Sequence, residues 1–91
     1  MEIRPETVFA VSPDVLFQEV HGELVLLDMA GDAYFGLDAT GARVWGLLGE
    51  GASVGVMVET LLGEYDVDRA TLESDLEVLL KDLLSAGLIS A

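Results

Sequence analysis

The chain has no cysteine, one histidine and only four basic side chains among its 91 residues. The absence of cysteine excludes disulfides, thiolate metal sites and cysteine nucleophiles. The single histidine, His21, precedes Gly22 in a predicted hairpin turn, where an exposed turn residue is expected rather than a catalytic base. No uncharged apolar run approaches the roughly 18 residues that a bilayer-spanning helix requires, and no secretory signal opens the sequence. We therefore expect a cytoplasmic protein without a metal or other cofactor.

Charge is the strongest compositional feature. Seventeen acidic residues against four basic ones give a formal net charge of −13, and such a field repels nucleic-acid phosphates and anionic membranes. Many of these acids solvate the exterior of an apolar chain, since 52% of the residues are hydrophobic. The composition predicts one compact domain over residues 1–91. It favours a basic or neutral partner and disfavours nucleic acid and membrane.

The first part of the chain has the pattern of strands. Residues 15–20 and 23–28 are rich in β-branched and aromatic side chains and are joined by His21-Gly22, a connection typical of a tight hairpin. A turn over residues 29–32 leads into a third short strand over 33–37. Residues 7–11 are a weaker candidate for a further strand. The pattern predicts a three-stranded antiparallel sheet.

From Asp38 onward the apolar residues recur at helical spacing. The first helix is predicted over residues 39–49, the second begins after Ser53 and ends near Tyr65, and the third opens at Asp68 or Thr71 and stops at Gly87. Leu88-Ile89 then folds back. The expected fold is α+β and winged helix-turn-helix-like, with a three-stranded antiparallel sheet followed by three helices.

Motifs that carry chemistry are missing. The segment from Asp66 to Glu77 starts like a calcium loop, but Ala70 and Thr71 stand where a ligand and the turn glycine are required. The glycines are scattered, so no phosphate-binding loop is indicated. The many carboxylates alone do not predict paired-acid catalysis, because no desolvating cleft is evident. We expect a protein that is not an enzyme.

A peptide-binding groove is the alternative that the pattern supports. The third strand would lie at a sheet edge, whose unpaired N–H and C=O groups can receive an extended peptide. The third helix offers a wall whose apolar arc is bordered by acidic residues, although a border through Glu73, Glu77 and Leu80 is geometrically open too. The candidate binding residues are, on the strand, Asp32, Ala33, Tyr34, Phe35, Gly36 and Leu37 and, on the helix, Asp75, Val78, Leu79 and Asp82.

A family resemblance covers nearly the whole chain, through residues 27–48, 75–83 and 87–89. Its clearest parts are the aromatic strand Ala33-Tyr34-Phe35-Gly36-Leu37, the helix Gly41-Ala42-Arg43-Val44-Trp45-Gly46-Leu47-Leu48 and the terminal Gly87-Leu88-Ile89. In this order and spacing the chain resembles the PqqD-like family of peptide recognition elements. The resemblance implies a winged bundle that binds the leader region of a ribosomally synthesised precursor peptide, as a strand beside the third strand and against the third helix.

The sequence leaves two pathways open for the enzyme that this protein would serve. The turn followed by Ala33-Tyr34-Phe35-Gly36-Leu37 is most similar to stand-alone recognition proteins of lasso-peptide clusters, which implies a leader peptidase as the enzyme served. A PqqD-type peptide chaperone for a radical S-adenosylmethionine enzyme is the alternative. A winged-helix transcription regulator would share the fold, but residues 68–86 contain only Arg69 and Lys81 against five acids. A small acidic hydrolase would lack an identifiable nucleophile.

Overall fold

The computed structural model describes residues 3–29 and 33–91. Its sheet begins with a tight hairpin. Strands β2 (Val15–Val20) and β3 (Glu23–Asp28) pair antiparallel with Val20 opposite Glu23. His21 and Gly22 both have positive φ, 52° and 82°, which is the type I′ turn that matches the twist of the flanking strands. The predicted hairpin is confirmed.

The third strand, β4 (Ala33–Leu37), pairs with β3 in the order β2-β3-β4 and lies at an edge of the sheet. Leu24 faces Leu37 across this pair, and Leu26 faces Phe35. Strands β1 (Ala10–Val11) and β5 (Ile89–Ser90) form a separate two-stranded pair that fastens the chain's two end regions together. The weak strand predicted over residues 7–11 therefore exists as a shorter element.

Three helices follow, each begun by a capping side chain. They are α1 (Ala39–Gly49), α2 (Val54–Glu64) and α3 (Arg69–Ser85). Their N-caps, Asp38, Ser53 and Asp68, each accept a hydrogen bond from the backbone N–H three residues later, satisfying a donor that the helix leaves free. Gly87, at φ 76°, turns the chain out of the last helix into β5. The predicted helices are confirmed.

The hydrophobic core lies between one face of the sheet and the helices. Helix α1 packs on β3 and β4, while α2 packs on α3. Trp45 is 5% exposed, so it is a core residue, as predicted. Buried side chains from every layer meet there, among them Leu26, Leu37, Val44, Leu61, Met57 and Leu80. The α+β architecture agrees with the prediction, and it leaves β4 exposed beside α3.

Candidate functional site

A groove of about 890 Å³ runs between β4 and α3. Its floor is apolar and is formed by side chains from three helices, namely Val44, Leu61, Leu72 and Leu76. Phe35 and Leu37 line it from the strand, and Val78 and Leu79 line it from the helix. A long, apolar channel beside an open strand is a shape that suits an extended peptide.

The open edge of β4 offers backbone groups at alternate residues. The two-residue turn makes Val20 and Glu23 a hydrogen-bonded pair, and from that pair the antiparallel ladder alternates. Residues Leu24 and Leu26 then bond to Leu37 and Phe35 on β4. It follows that the N–H and C=O groups of Tyr34 and Gly36 point away from the sheet. Two residues of β4 are thus set to pair with an added strand.

The side chains of β4 divide between the two faces of the sheet. Phe35 and Leu37 share the face of Leu24 and Leu26 and pack against the core. Tyr34 faces the other way and is 74% exposed. The sequence predicted that one of the two adjacent aromatic residues would point inward, and the structure identifies it as Phe35.

The helix wall is the flank of α3 that bears Asp75 and Asp82. Val78 is 59% exposed and lies between these two carboxylates along the groove. The alternative flank does not line this groove: Leu80 is fully buried, and Glu73 lines a separate cavity of about 380 Å³ beside the start of α2. Packing of α3 against α2 therefore places the flank with Asp75 and Asp82, rather than the flank with Glu73 and Leu80, along this groove.

The structure brings most of the predicted binding residues together. Phe35, Gly36, Leu37, Asp75, Val78, Leu79 and Asp82 all line the groove. Ala33 and Tyr34 belong to the same edge strand, although the Tyr34 side chain does not line the groove. The remaining predicted residue, Asp32, lies outside the described residues.

Sequence reasoning missed the groove residues that come from other elements. They are Glu23, Asp38, Thr40, Gly41, Val44, Leu61, Tyr65, Asp66, Val67, Leu72 and Leu76. Most of them occupy helix caps or core positions, and this structural role accounts for their residue type without indicating that they line the groove. Only the path of the chain, which returns from the end of α2 to the start of α3 beside β4, places them at one site.

The groove carries charge of one sign, which is negative. Its charged lining residues are all carboxylates, namely Glu23, Asp38, Asp66, Asp75 and Asp82. The arginines of the helices lie elsewhere: Arg43 forms a bidentate pair with Glu64, with Nε–Oε1 at 2.9 Å and Nη2–Oε2 at 2.8 Å, and Arg69 pairs with Glu59. The hydrogen bonds between Arg43 and Glu64 lower the pKa of the carboxyl and raise the pKa of the guanidinium.

Other features of the described part of the chain are the arrangement of its carboxylate and histidine side chains and the length and hydropathy of its helices. Residues 3–29 and 33–91 contain no cluster of three histidine or carboxylate side chains that could hold a metal ion. His21 is exposed in the hairpin turn. Among the same residues, no helix is both long enough and apolar enough to cross a membrane. The groove itself offers backbone pairing, apolar contact and negative charge to a ligand.

A second exposed surface covers the side of the sheet that faces away from the helices. Leu16, Leu27 and Tyr34 are aligned across the three strands and are 58%, 39% and 74% exposed. Val20 and Val25 share this face. We call these five side chains the outer face. Apolar side chains clustered on an open sheet face are typical of a surface that another protein covers.

Comparison with known proteins agrees with this geometry. A family model described as "Coenzyme PQQ synthesis protein D (PqqD)" matches residues 23–89. The structure of TbiB1 in complex with the TbiA(beta) leader peptide is 40% identical, with a TM-score of 0.82 over 88% of this chain and 93% of that one. A lasso peptide synthetase B1, complexed with the leader peptide, is 27% identical, with a TM-score of 0.83 over 93% and 100%.

A search of curated proteins found no match. The family match nonetheless spans both the sheet edge and the helix that enclose the groove. Both similar structures have this fold and were determined with a leader peptide. The predicted family is thereby confirmed, and the chain belongs to the PqqD family.

Proposed function

We propose that this chain binds the leader region of a ribosomally synthesised precursor peptide by strand addition to β4 and presents it to a separate processing enzyme. The observation that carries the proposal is the groove, where the free backbone groups of Tyr34 and Gly36 lie beside the apolar wall of α3. The contacts we propose are made by residues 32–37, Asp75, Val78, Leu79 and Asp82. The leader complexes of two similar structures support it.

The enzyme that we expect to be served is a lasso-peptide leader peptidase. Two solved neighbours are TbiB1 and a lasso peptide synthetase B1, which favours this pathway over the PqqD-type chaperone of a radical S-adenosylmethionine enzyme. The outer face offers a surface for that enzyme which a leader in the groove would leave accessible. Holding both makes their encounter effectively intramolecular, with an effective concentration of order millimolar for short connections.

A DNA-binding role is less well supported. The two basic side chains of α3 are both paired, Arg69 with Glu59 and Lys81 with Glu77 at 3.7 Å. A recognition helix needs such side chains free to meet phosphates and bases. The carboxylates of this helix would also repel the DNA backbone.

The first prediction tests strand addition. Tyr34→Pro removes an N–H from the open edge of β4, so we expect the affinity for the TbiA(beta) leader peptide to fall at least about tenfold, since backbone pairing is lost. Fluorescence anisotropy with the labelled peptide measures this. Glu19→Pro is the matched control, because it removes an outward N–H from the opposite edge strand, β2.

Circular dichroism would establish that both proline variants remain folded. Equal leader affinity for wild type and a folded Tyr34→Pro variant would exclude β4 as the docking strand. An equal loss in the Glu19→Pro variant would show that proline acts through general damage to the sheet rather than through the groove.

A further inference from the structure

We infer that the groove selects leaders whose bound segment is net basic, with lysine or arginine at both ends of an apolar stretch. This inference rests on the proposed function and specifies its substrate class. The charged side chains that line the groove are all acidic, whereas the rest of the molecule also contains lysine and arginine.

The carboxylates occupy two separate parts of the groove rim. Asp75 and Asp82 lie on α3, seven residues or about 10 Å apart along the helix axis. Asp38 and Asp66 lie where β4 ends and the chain enters α3. We call these two sets the helix rim and the strand-end rim. Between them the lining is apolar.

Every lysine and arginine side chain in the sequence forms an ion pair with a carboxylate that does not line the groove. The sequence has four such residues: Arg4 pairs with Glu6, Arg43 with Glu64, Arg69 with Glu59 and Glu73, and Lys81 with Glu77. None of these acidic partners lines the groove. In residues 3–29 and 33–91, no ion pair involves a rim carboxylate. Within these residues, no lysine or arginine is therefore paired with a rim carboxylate.

A bound peptide must provide the positive charge that balances the rim carboxylates. When a peptide covers the apolar floor, it removes water from the neighbouring carboxylates, and a charge that loses water without gaining a partner is costly. Each lysine or arginine near a rim recovers part of that cost, and an acidic side chain adds repulsion. The same field should raise the association rate of basic peptides and make it fall with salt.

The test is a selection from a phage-displayed library of random peptides. Peptides of about twelve residues suffice, since about eight extended residues run the length of α3. We expect wild type to enrich lysine and arginine about twofold over the input library. The triple variant Asp66→Asn, Asp75→Asn, Asp82→Asn removes both helix-rim carboxylates and Asp66 of the strand-end rim, while keeping Asp38 as the cap of α1, and should lose this enrichment. The triple variant Asp14→Asn, Glu19→Gln, Glu50→Gln should keep it, because it removes equal charge outside the groove.

Kinetics on a selected basic peptide provide the second readout. Its association rate with wild type should fall on the order of tenfold between low and high ionic strength, and the rim variant should lose most of this dependence. Enriched peptides without excess lysine or arginine, or equal enrichment by the rim variant, would overturn the inference. If strand addition to β4 is wrong, the selected peptides should instead bind the Tyr34→Pro variant with the same affinity as wild type. A library yielding no binder would count against both.

Discussion

Gly41 holds α1 and β4 at a separation that a larger residue would not allow. A Cβ at this position would lie 3.1 Å from both Cβ and Cδ2 of Leu37. Leu37 is 4% exposed, and the close approach includes its Cβ, so a side-chain rotation cannot relieve it. Either the first turn of α1 or the end of β4 would have to shift by a few tenths of an ångström, and both line the groove.

The second prediction follows from this contact. Gly41→Ala should weaken leader binding while changing the free energy of unfolding by less than about 1 kcal/mol, because the helix preference of alanine offsets the crowding. Anisotropy and urea unfolding measure the two effects. Gly46→Ala is the control: it lies in α1 with no atom near the added Cβ, so it should gain stability and keep its affinity. Equal affinity for both variants would contradict the role assigned to Gly41.

The N-terminal cap of α3 fixes the point where the chain enters the groove wall. The Asp68 carboxylate accepts hydrogen bonds from Thr71 N at 2.9 Å and from Thr71 Oγ1 at 2.8 Å. These bonds lower the pKa of Asp68 in the folded protein. A carboxyl with a lowered folded pKa stabilises the fold at pH above its ordinary pKa, and this contribution disappears as the pH falls through the folded value.

The third prediction concerns that pH dependence. Asparagine still caps a helix but does not titrate, so Asp68→Asn should be less stable than wild type near neutral pH. The difference should shrink in the acid range below the ordinary pKa of aspartate. Urea unfolding of both proteins across this range measures it. Asp14→Asn, which removes a carboxylate that caps no helix, should show a smaller change; a difference for Asp68→Asn that stays constant with pH would contradict the assignment.

At the scale of elements, local signals in the sequence predicted the helices and strands because caps and turns act within a few residues. Asp38, Ser53 and Asp68 mark helix starts, and His21-Gly22 marks the hairpin. The groove was predicted in part for the same reason, since an edge strand follows from strand order. The flank of α3 could not be predicted, because acids border both sides of its apolar arc and only packing on α2 distinguishes them.

For the whole molecule, the exposed apolar side chains form two separate surfaces. The groove lies between β4 and α3, whereas the outer face lies across the sheet from the helices. In a chain of charge −13, the three strand positions Leu16, Leu27 and Tyr34 form an exposed row without a carboxylate. The docking on a partner enzyme that we propose would use such a surface.

The last prediction separates capture from presentation. Leu16→Lys with Val20→Lys places two charges on the outer face at strand β2, far from the β4 edge, so leader affinity should stay within about twofold of wild type. Processing of a dilute precursor by the partner peptidase should fall about tenfold or more, because burying two added lysine side chains at the interface opposes docking. Glu19→Lys, on the same strand but the opposite face, should retain activity.

Reconstitution with purified peptidase, precursor and each variant measures the processing rate, and a precursor with a scrambled leader should show little stimulation by any of them. If the double variant stimulates processing as wild type does, presentation does not use the outer face.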